Sequence, residues 1–190
     1  MLDSTPANDC LNIYFSNFRS LENKLSELIT TIETLKLNII IANESWFNDS
    51  IPVSFLNNYQ IYRRDRLGRR GGIFIAAHNT LKTIRIIEYE CQILESLCVE
   101  LQINDLKILF ITIYLLPPVN SNKFKLIENI LTRIENSNTC YDEIILVGDL
   151  NTDFNPNSSG ELNFNAKQLN DIFLNYKMKQ LVKRKYLSTK

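Results

Sequence analysis

Apolar positions along the chain change period several times, and each change marks an element. Leu21, Leu25, Leu28, Ile29, Ile32 and Leu35 recur at three- and four-residue steps, the spacing of one helical face. Phe124, Ile127, Ile130, Leu131 and Ile134 repeat that spacing, as do Leu169, Ile172, Phe173 and Tyr176, so three helices are predicted. Strands lie between them. Leu11 to Ser16 is one, Glu143 to Val147 another, and Ile39, Ile40 and Ile41 form a β-branched run suited to a strand covered on both faces. Tyr59 to Asp65 and Ile73 to His78, separated by an Arg/Gly turn, read as a hairpin. Leu97, Val99, Leu101 and Ile103 alternate with Ser96, Cys98, Glu100 and Gln102, which predicts a strand with one buried face. Asn104 and Asp105 then turn the chain into Leu106 to Tyr114, and Pro117 and Pro118, which cannot donate to a ladder, end that strand. Hairpins mixed with strand–helix–strand units predict sheets packed face to face with helices outside, not an all-parallel doubly wound sheet.

No Gly/Ser linker, long charge block or internal repeat divides this pattern, so residues 1–190 read as one domain, with 1–10 expected to be flexible. At this length a core needs no disulfide or structural metal. Cys10, Cys91, Cys98 and Cys140 are scattered without a CxxC pair, and His78 is the only histidine, which argues against a zinc site or a disulfide framework. A reducing, intracellular compartment is the expectation. The longest apolar run, Ile108 to Leu116, is broken by Thr112 and is about half the length of a membrane-spanning helix, so no membrane partner is expected. Formal charge sums to zero, with 21 basic and 21 acidic side chains, but its distribution is uneven. Between residues 61 and 90, Arg63, Arg64, Arg66, Arg69, Arg70, Lys82 and Arg85 face only Asp65, Glu88 and Glu90, and residues 177–190 carry basic side chains without an acid. Opposed faces are implied.

Four apolar runs end in a polar residue that a core would not select: Asn17, Glu44, Tyr114, and Asp149 with Asn151. Each has an ordinary explanation alone, as a turn, a cap or a solvated strand end. Together they predict one cleft at the C-terminal ends of the strands. Two carboxylates and two amide oxygens suit Mg²⁺, a hard cation that keeps water and substrate phosphate in its shell.

In this order, SNFRSLENKLSEL, IIIANESWFND, YRRDRLGRRGGIFIA, ESLCVEL, ITIYLLPP and EIILVGDLNTDF resemble the motifs of the endonuclease/exonuclease/phosphatase superfamily. The resemblance runs from about residue 11 to 184 and is closest to the apurinic-type endonuclease domain of non-LTR (LINE-like) retrotransposons. It implies an α+β sandwich of four layers, α/β/β/α, with two mixed sheets. It also implies nicking of DNA with Mg²⁺ (Mn²⁺ as the alternative) to leave a 3′-hydroxyl, in the nucleus, as part of an element that also carries a reverse transcriptase domain. Residue by residue, Glu44 matches the metal-binding glutamate and Asn17 the amide beside the metal and its water. Asp149 matches the aspartate that orients or deprotonates that water, Asn151 the amide holding the scissile phosphate, and Tyr114 the phosphate-contacting tyrosine. Arg63, Arg64, Arg66, Arg69 and Arg70 are the implied DNA-backbone contacts.

Two departures accompany the resemblance. Leu115 and Leu116 stand where relatives have one residue between tyrosine and Pro-Pro, so the loop after Tyr114 is expected to be displaced. The family also completes its site with an aspartate and a closing Ser-Asp-His, which this sequence does not contain. The expectation is a C-terminally incomplete domain whose isolated activity is in question. Two other readings remain: a noncatalytic nucleic-acid or protein-binding remnant of the fold, and a superfamily phosphatase or phosphodiesterase with a non-DNA substrate.

Overall fold

The computed structural model describes residues 10–47, 52, 55–66 and 70–181. Nearly all of the segment expected to be flexible, the basic end beyond 181 and Arg69 lie outside these residues. The elements run β1 (Ile13–Asn17), α1 (Leu25–Leu35), β2 (Ile39–Asn43), β3 (Tyr59–Arg64), β4 (Ile73–His78) and β5 (Lys82–Arg85). They continue with β6 (Glu95–Ile103), β7 (Leu106–Tyr114), α2 (Ser121–Glu135), β8 (Glu143–Asp149) and α3 (Phe164–Asn175).

The strands form two four-stranded sheets, ordered β1-β2-β4-β3 and β5-β6-β7-β8. Each is mixed. β1 pairs parallel with β2, and β7 parallel with β8, while the remaining pairs are antiparallel. Alternation along the strands builds three cores. Ile39, Ile41, Ile73 and Ile75 meet Leu97, Val99, Leu101 and Phe110 between the sheets. Ile40, Ala42, Phe74 and Ala76 face outward under Leu28 of α1, and Leu109, Ile111 and Ile113 face outward under Phe124, Ile127, Ile130 and Leu169 of α2 and α3. These are the four expected layers.

The structure differs from the sequence reading in three places. The first half of β6 is buried on both faces, because Ser96 and Cys98 lie beneath residues that precede and follow the strand and beneath α2 instead of facing solvent, while Glu100 and Gln102 remain partly exposed. β5 was not predicted: four residues at a sheet edge are too short to show a period. The apolar stripe of α1 is only partly used, with Leu28 buried and Ile29 and Leu35 exposed, because Phe18, Phe47 and Leu56 from the flanking loops fill much of that layer. Local capping follows the chain chemistry. The side chains of Asn120 and Asn163 accept hydrogen bonds from the backbone N–H of Lys123 (3.2 Å) and Ala166 (2.9 Å), satisfying an orphan donor at the start of α2 and of α3.

Candidate active site

Parallel pairing sets the position of the predicted residues. β1 and β2 are in register with Asn17 beside Asn43, and β7 and β8 with Tyr114 beside Asp149, so both pairs deliver their C-terminal residues to one end of the sandwich. Gly148 makes the second pairing possible, since a Cβ there would lie 1.9 Å from the carbonyl oxygen of Ile113. A hydrogen bond then crosses between the sheets. The Asp149 backbone N–H donates to Oδ1 of Asn43 at 2.9 Å, which explains a polar residue at the end of an otherwise apolar, wholly buried strand.

Around this junction the side chains interlock. Asn17 Nδ2 donates both to Glu44 Oε1 (3.0 Å) and to Asp149 Oδ2 (2.8 Å). The Tyr114 hydroxyl donates to the same Glu44 oxygen at 2.8 Å, and Trp46 Nε1 reaches Glu44 Oε2 at 3.3 Å. Asn151 folds over the end of β8: its N–H donates to Asp149 Oδ1 (3.0 Å) and its Nδ2 to the carbonyl of Leu115 (2.8 Å). Asn17, Glu44, Tyr114 and Asp149 are therefore one hydrogen-bonded group, with Asn151 attached to it. Although Leu115 and Leu116 lengthen the loop after Tyr114, Leu115 stays locked to the end of β8 through its N–H to the Asp149 carbonyl (3.0 Å).

The backbone here is unusual. Arg19, Ser20, Glu44, Trp46 and Asn151 all have positive φ, a conformation disfavoured for non-glycine residues and tolerated where surrounding bonds enforce it. For Glu44 those bonds are visible. Its carbonyl accepts from Ser20 N–H and that of Ser45 from Leu21 N–H, while Ser45 and Trp46 donate their N–H groups to the carbonyls of Gly72 and Gly71.

Electrostatics separate the ionisable groups. Burial by itself raises the Glu44 carboxyl, but hydrogen bonds from Asn17, Tyr114 and Trp46 and the charge of Arg19 more than offset it, holding the group below its ordinary value. Glu44 is thus a carboxylate at neutral pH. Burial first, then the hydrogen bond to Glu44 and its charge, raise the Tyr114 phenol, which stays protonated as a donor. With Asn17 Nδ2 committed to two carboxylates, its Oδ1 is left buried without a partner among the described residues, a free acceptor beside two acids. That donor set fits a hard divalent cation.

The predicted arginines fare differently. Arg64 donates to the carbonyls of Cys91 (2.6 Å) and Gln92 (2.7 Å), Arg66 pairs with Glu95 (3.1 Å), and Arg63 pairs with Asp65 (2.7 Å) beside the Phe47 ring. These three brace the hairpin against its surroundings, whereas Arg70 is exposed. Sequence reasoning missed Asn43, Trp46, Arg19 and Glu95. Asn43 carried a readable signal, an amide closing an isoleucine run. Glu95 did not: only the fold shows its Oε2 accepting the Gly72 N–H at 2.7 Å, directly across from Tyr114.

No protein-family model and no curated protein matches the chain. Among solved structures it is similar to the endonuclease domain of TRAS1, a telomere-specific non-LTR retrotransposon. The TM-score is 0.69 at 15% identity, over 92% of this chain and 74% of that one. It is also similar to an AP endonuclease from Archaeoglobus fulgidus (TM-score 0.60, 16% identity, 87% and 70% covered). A third is the AP endonuclease LMAP from Leishmania major (TM-score 0.64, 13% identity, 86% and 65% covered). With two mixed sheets between helices and this likeness over most of its length, the chain has the endonuclease/exonuclease/phosphatase fold.

Proposed function

We propose that this chain is the hydrolytic part of a metal-dependent DNA endonuclease of retrotransposon type, acting on phosphodiesters. The observation that carries the proposal is the Asn17 amide bridging Glu44 and Asp149 at 3.0 and 2.8 Å across two sheets. A structural scaffold has little reason to converge two carboxylates, an amide and a phenol on strained backbone. Glu44 and Asn17 Oδ1 would hold Mg²⁺, or Mn²⁺ in its place, and the bound ion supplies positive charge for the phosphate oxygens.

The remaining work falls to the chain. Asp149, fixed by Asn17 and by the Asn151 N–H, is placed to orient a water and take its proton as in-line attack proceeds. The protonated Tyr114 hydroxyl fixes Glu44 and offers a donor next to the phosphate. Asn151, exposed at the rim, is positioned to face the scissile group. Residues 1–190 contain no Ser-Asp-His, the triplet that the family resemblance implies for such a site. DNA as substrate, a partnering reverse transcriptase domain and a nuclear location belong to the same proposal and rest on the retrotransposon resemblance.

Nicking of supercoiled plasmid tests it. Mg²⁺-dependent relaxation that Asp149→Asn slows on the order of 10³-fold supports the reading. Nicking unchanged by Asp149→Asn and Glu44→Gln, or absent from this chain and from a version completed with the Ser-Asp-His strands, overturns it.

A further inference from the structure

Glu95 breaks the pattern of its own strand. Leu97, Val99 and Leu101, at two-residue steps along β6, pack between the sheets, and the same alternation turns the Glu95 side chain inward at the start of the strand. That side chain is only 13% exposed. A carboxylate set there against an arginine, Arg66 at 3.1 Å, is a poor source of stability, because taking both charges out of water offsets their attraction. Placement explains it better.

Two side chains reach from the β5-β6-β7-β8 sheet to the Glu44 turn. Glu95 and Tyr114 are cross-strand partners in β6 and β7, so their side chains leave the same face. The Tyr114 hydroxyl donates to Glu44 Oε1 at 2.8 Å, and Glu95 Oε2 accepts the Gly72 N–H at 2.7 Å. The glycine pair in turn carries the Glu44 turn, since the carbonyls of Gly72 and Gly71 accept from the N–H groups of Ser45 (3.1 Å) and Trp46 (2.9 Å). The contacts close into a ring. It runs from Tyr114 to Glu44, through Ser45 and Gly72 to Glu95, and back across the ladder to Tyr114. A Cβ on Gly71 would lie 2.7 Å from Glu95 Oε1, and one on Gly72 2.8 Å from Ser45 Oγ, so the glycines fill the gap between Glu95 and the turn. Glu44 and Trp46, at φ of 52° and 56°, hold a strained conformation that outside bonds must enforce.

The geometry points to Glu95 as a positioning residue: anchored across the sheets to the Gly72 N–H, it sets where the Glu44 carboxylate stands against Tyr114, and thereby how tightly the site takes a divalent cation. The cation part rests on the proposed function. The placement of the turn does not. Glu44 and Glu95 also sense each other's charge, so a test must separate placement from charge.

Trp46, the only tryptophan of the chain, lies within the turn with Nε1 3.3 Å from Glu44 Oε2, and its fluorescence reports the turn directly. In EDTA, Glu95→Asp, which keeps the charge but draws the carboxylate back from Gly72, should red-shift Trp46 emission and raise its quenching by acrylamide. Glu95→Gln, which keeps an acceptor oxygen at full reach, should leave both at the parent values. Mn²⁺ binding, followed by the EPR signal of the free ion, should weaken about 10-fold in Glu95→Asp and less than about 3-fold in Glu95→Gln. Glu90→Gln is the matched control. Glu90 also pairs with an arginine, Arg85 at 2.8 Å, and accepts a backbone N–H, that of Cys98 at 3.3 Å, but has no hydrogen bond to the turn among the described residues. Its loss should lower the urea midpoint without moving either readout. Parental Trp46 emission in Glu95→Asp, a Glu95→Gln protein altered as much as Glu95→Asp, or an equal shift in Glu90→Gln overturns the positioning role. A parent protein that binds no Mn²⁺ while Glu95→Asp still shifts Trp46 retains the role and removes the metal from the proposed function, so the two fail separately.

Discussion

The two flanks of the sandwich are built differently. Where β3 faces β5 and β6, the sheets are fastened side chain by side chain. Tyr62 OH meets Thr83 Oγ1 at 3.0 Å, Arg85 donates to the Arg63 carbonyl at 3.2 Å, and Arg64 holds the carbonyls of Cys91 and Gln92. Where β1 faces β8, Ile13, Phe15 and Ile144 are exposed apolar side chains on edge strands. Such edges are normally covered or charged. The Asn17–Asp149 hydrogen bond joins the sheets on that flank, at the strand ends. One flank thus spends its polar groups on cohesion, and the other spends them on the candidate site.

The comparison predicts that stability and activity separate along it. The largest effect belongs to Gly148→Ala. Its Cβ would collide with the backbone oxygen of Ile113, and flexible side-chain movement cannot relieve a clash between main chains. Overpacking of this kind costs about 3 kcal/mol, and it displaces Asp149 from its register beside Tyr114. Urea denaturation should show the loss of stability, and plasmid nicking should fall together with it. A Gly148→Ala protein of parental stability would show that the β7–β8 register is not held as described.

Arg64→Ala on the fastened flank should cost less, about 2 kcal/mol, as charge-assisted hydrogen bonds to two carbonyls are lost. Because its guanidinium is committed to those carbonyls, the loss should leave the salt slope of DNA binding unchanged. A lowered slope would return Arg64 to the DNA interface that its sequence neighbourhood suggested.

The difference between the flanks also explains what was legible in the chain. Periodicity revealed the long elements and the face-to-face sheets, because apolar side chains must alternate between the inner and outer layers of β2, β4 and β7. The convergence of Asn17, Glu44, Tyr114 and Asp149 was legible for a related reason. Each interrupts an apolar run at its C-terminal end, where parallel pairing brings strand ends together. The fate of the arginines was not legible. Composition reports that Arg63, Arg64, Arg66 and Arg70 share a hairpin, but only packing decides that Arg64 reaches the loop after Tyr89 while Arg70 stays exposed. Glu95 was hidden likewise, since its partner is a backbone N–H group brought close only by the fold; Asn43 stood out as an amide closing an apolar run, but its partner across the sheets did not.

The smallest effect is in the pH dependence of stability, where carboxylates tied to the two flanks oppose each other. Glu44 leans on Asn17 of β1, and Glu95 on Arg66 and the Gly72 N–H at the hairpin turn. The Glu44 carboxyl is held below its ordinary value of 4.5, so the folded state binds its proton less readily than the unfolded chain. Its contribution is full above pH 4.5 and is lost as pH falls through the folded value. Glu95 shifts the other way. Burial raises it above 4.5, and this outweighs the Gly72 hydrogen bond and the charges of Arg66 and Arg64. The folded state therefore holds the Glu95 proton more tightly, and stability falls as pH rises from 4.5 through the folded value. Urea midpoints measured in EDTA between pH 3 and 7 should resolve the two. Glu44→Gln should flatten the rise below pH 4.5, and Glu95→Gln should flatten the decline above it. If both variants run parallel to the parent protein across the range, neither carboxylate has the surroundings described, and the contrast between a site-facing and a hairpin-facing acid fails.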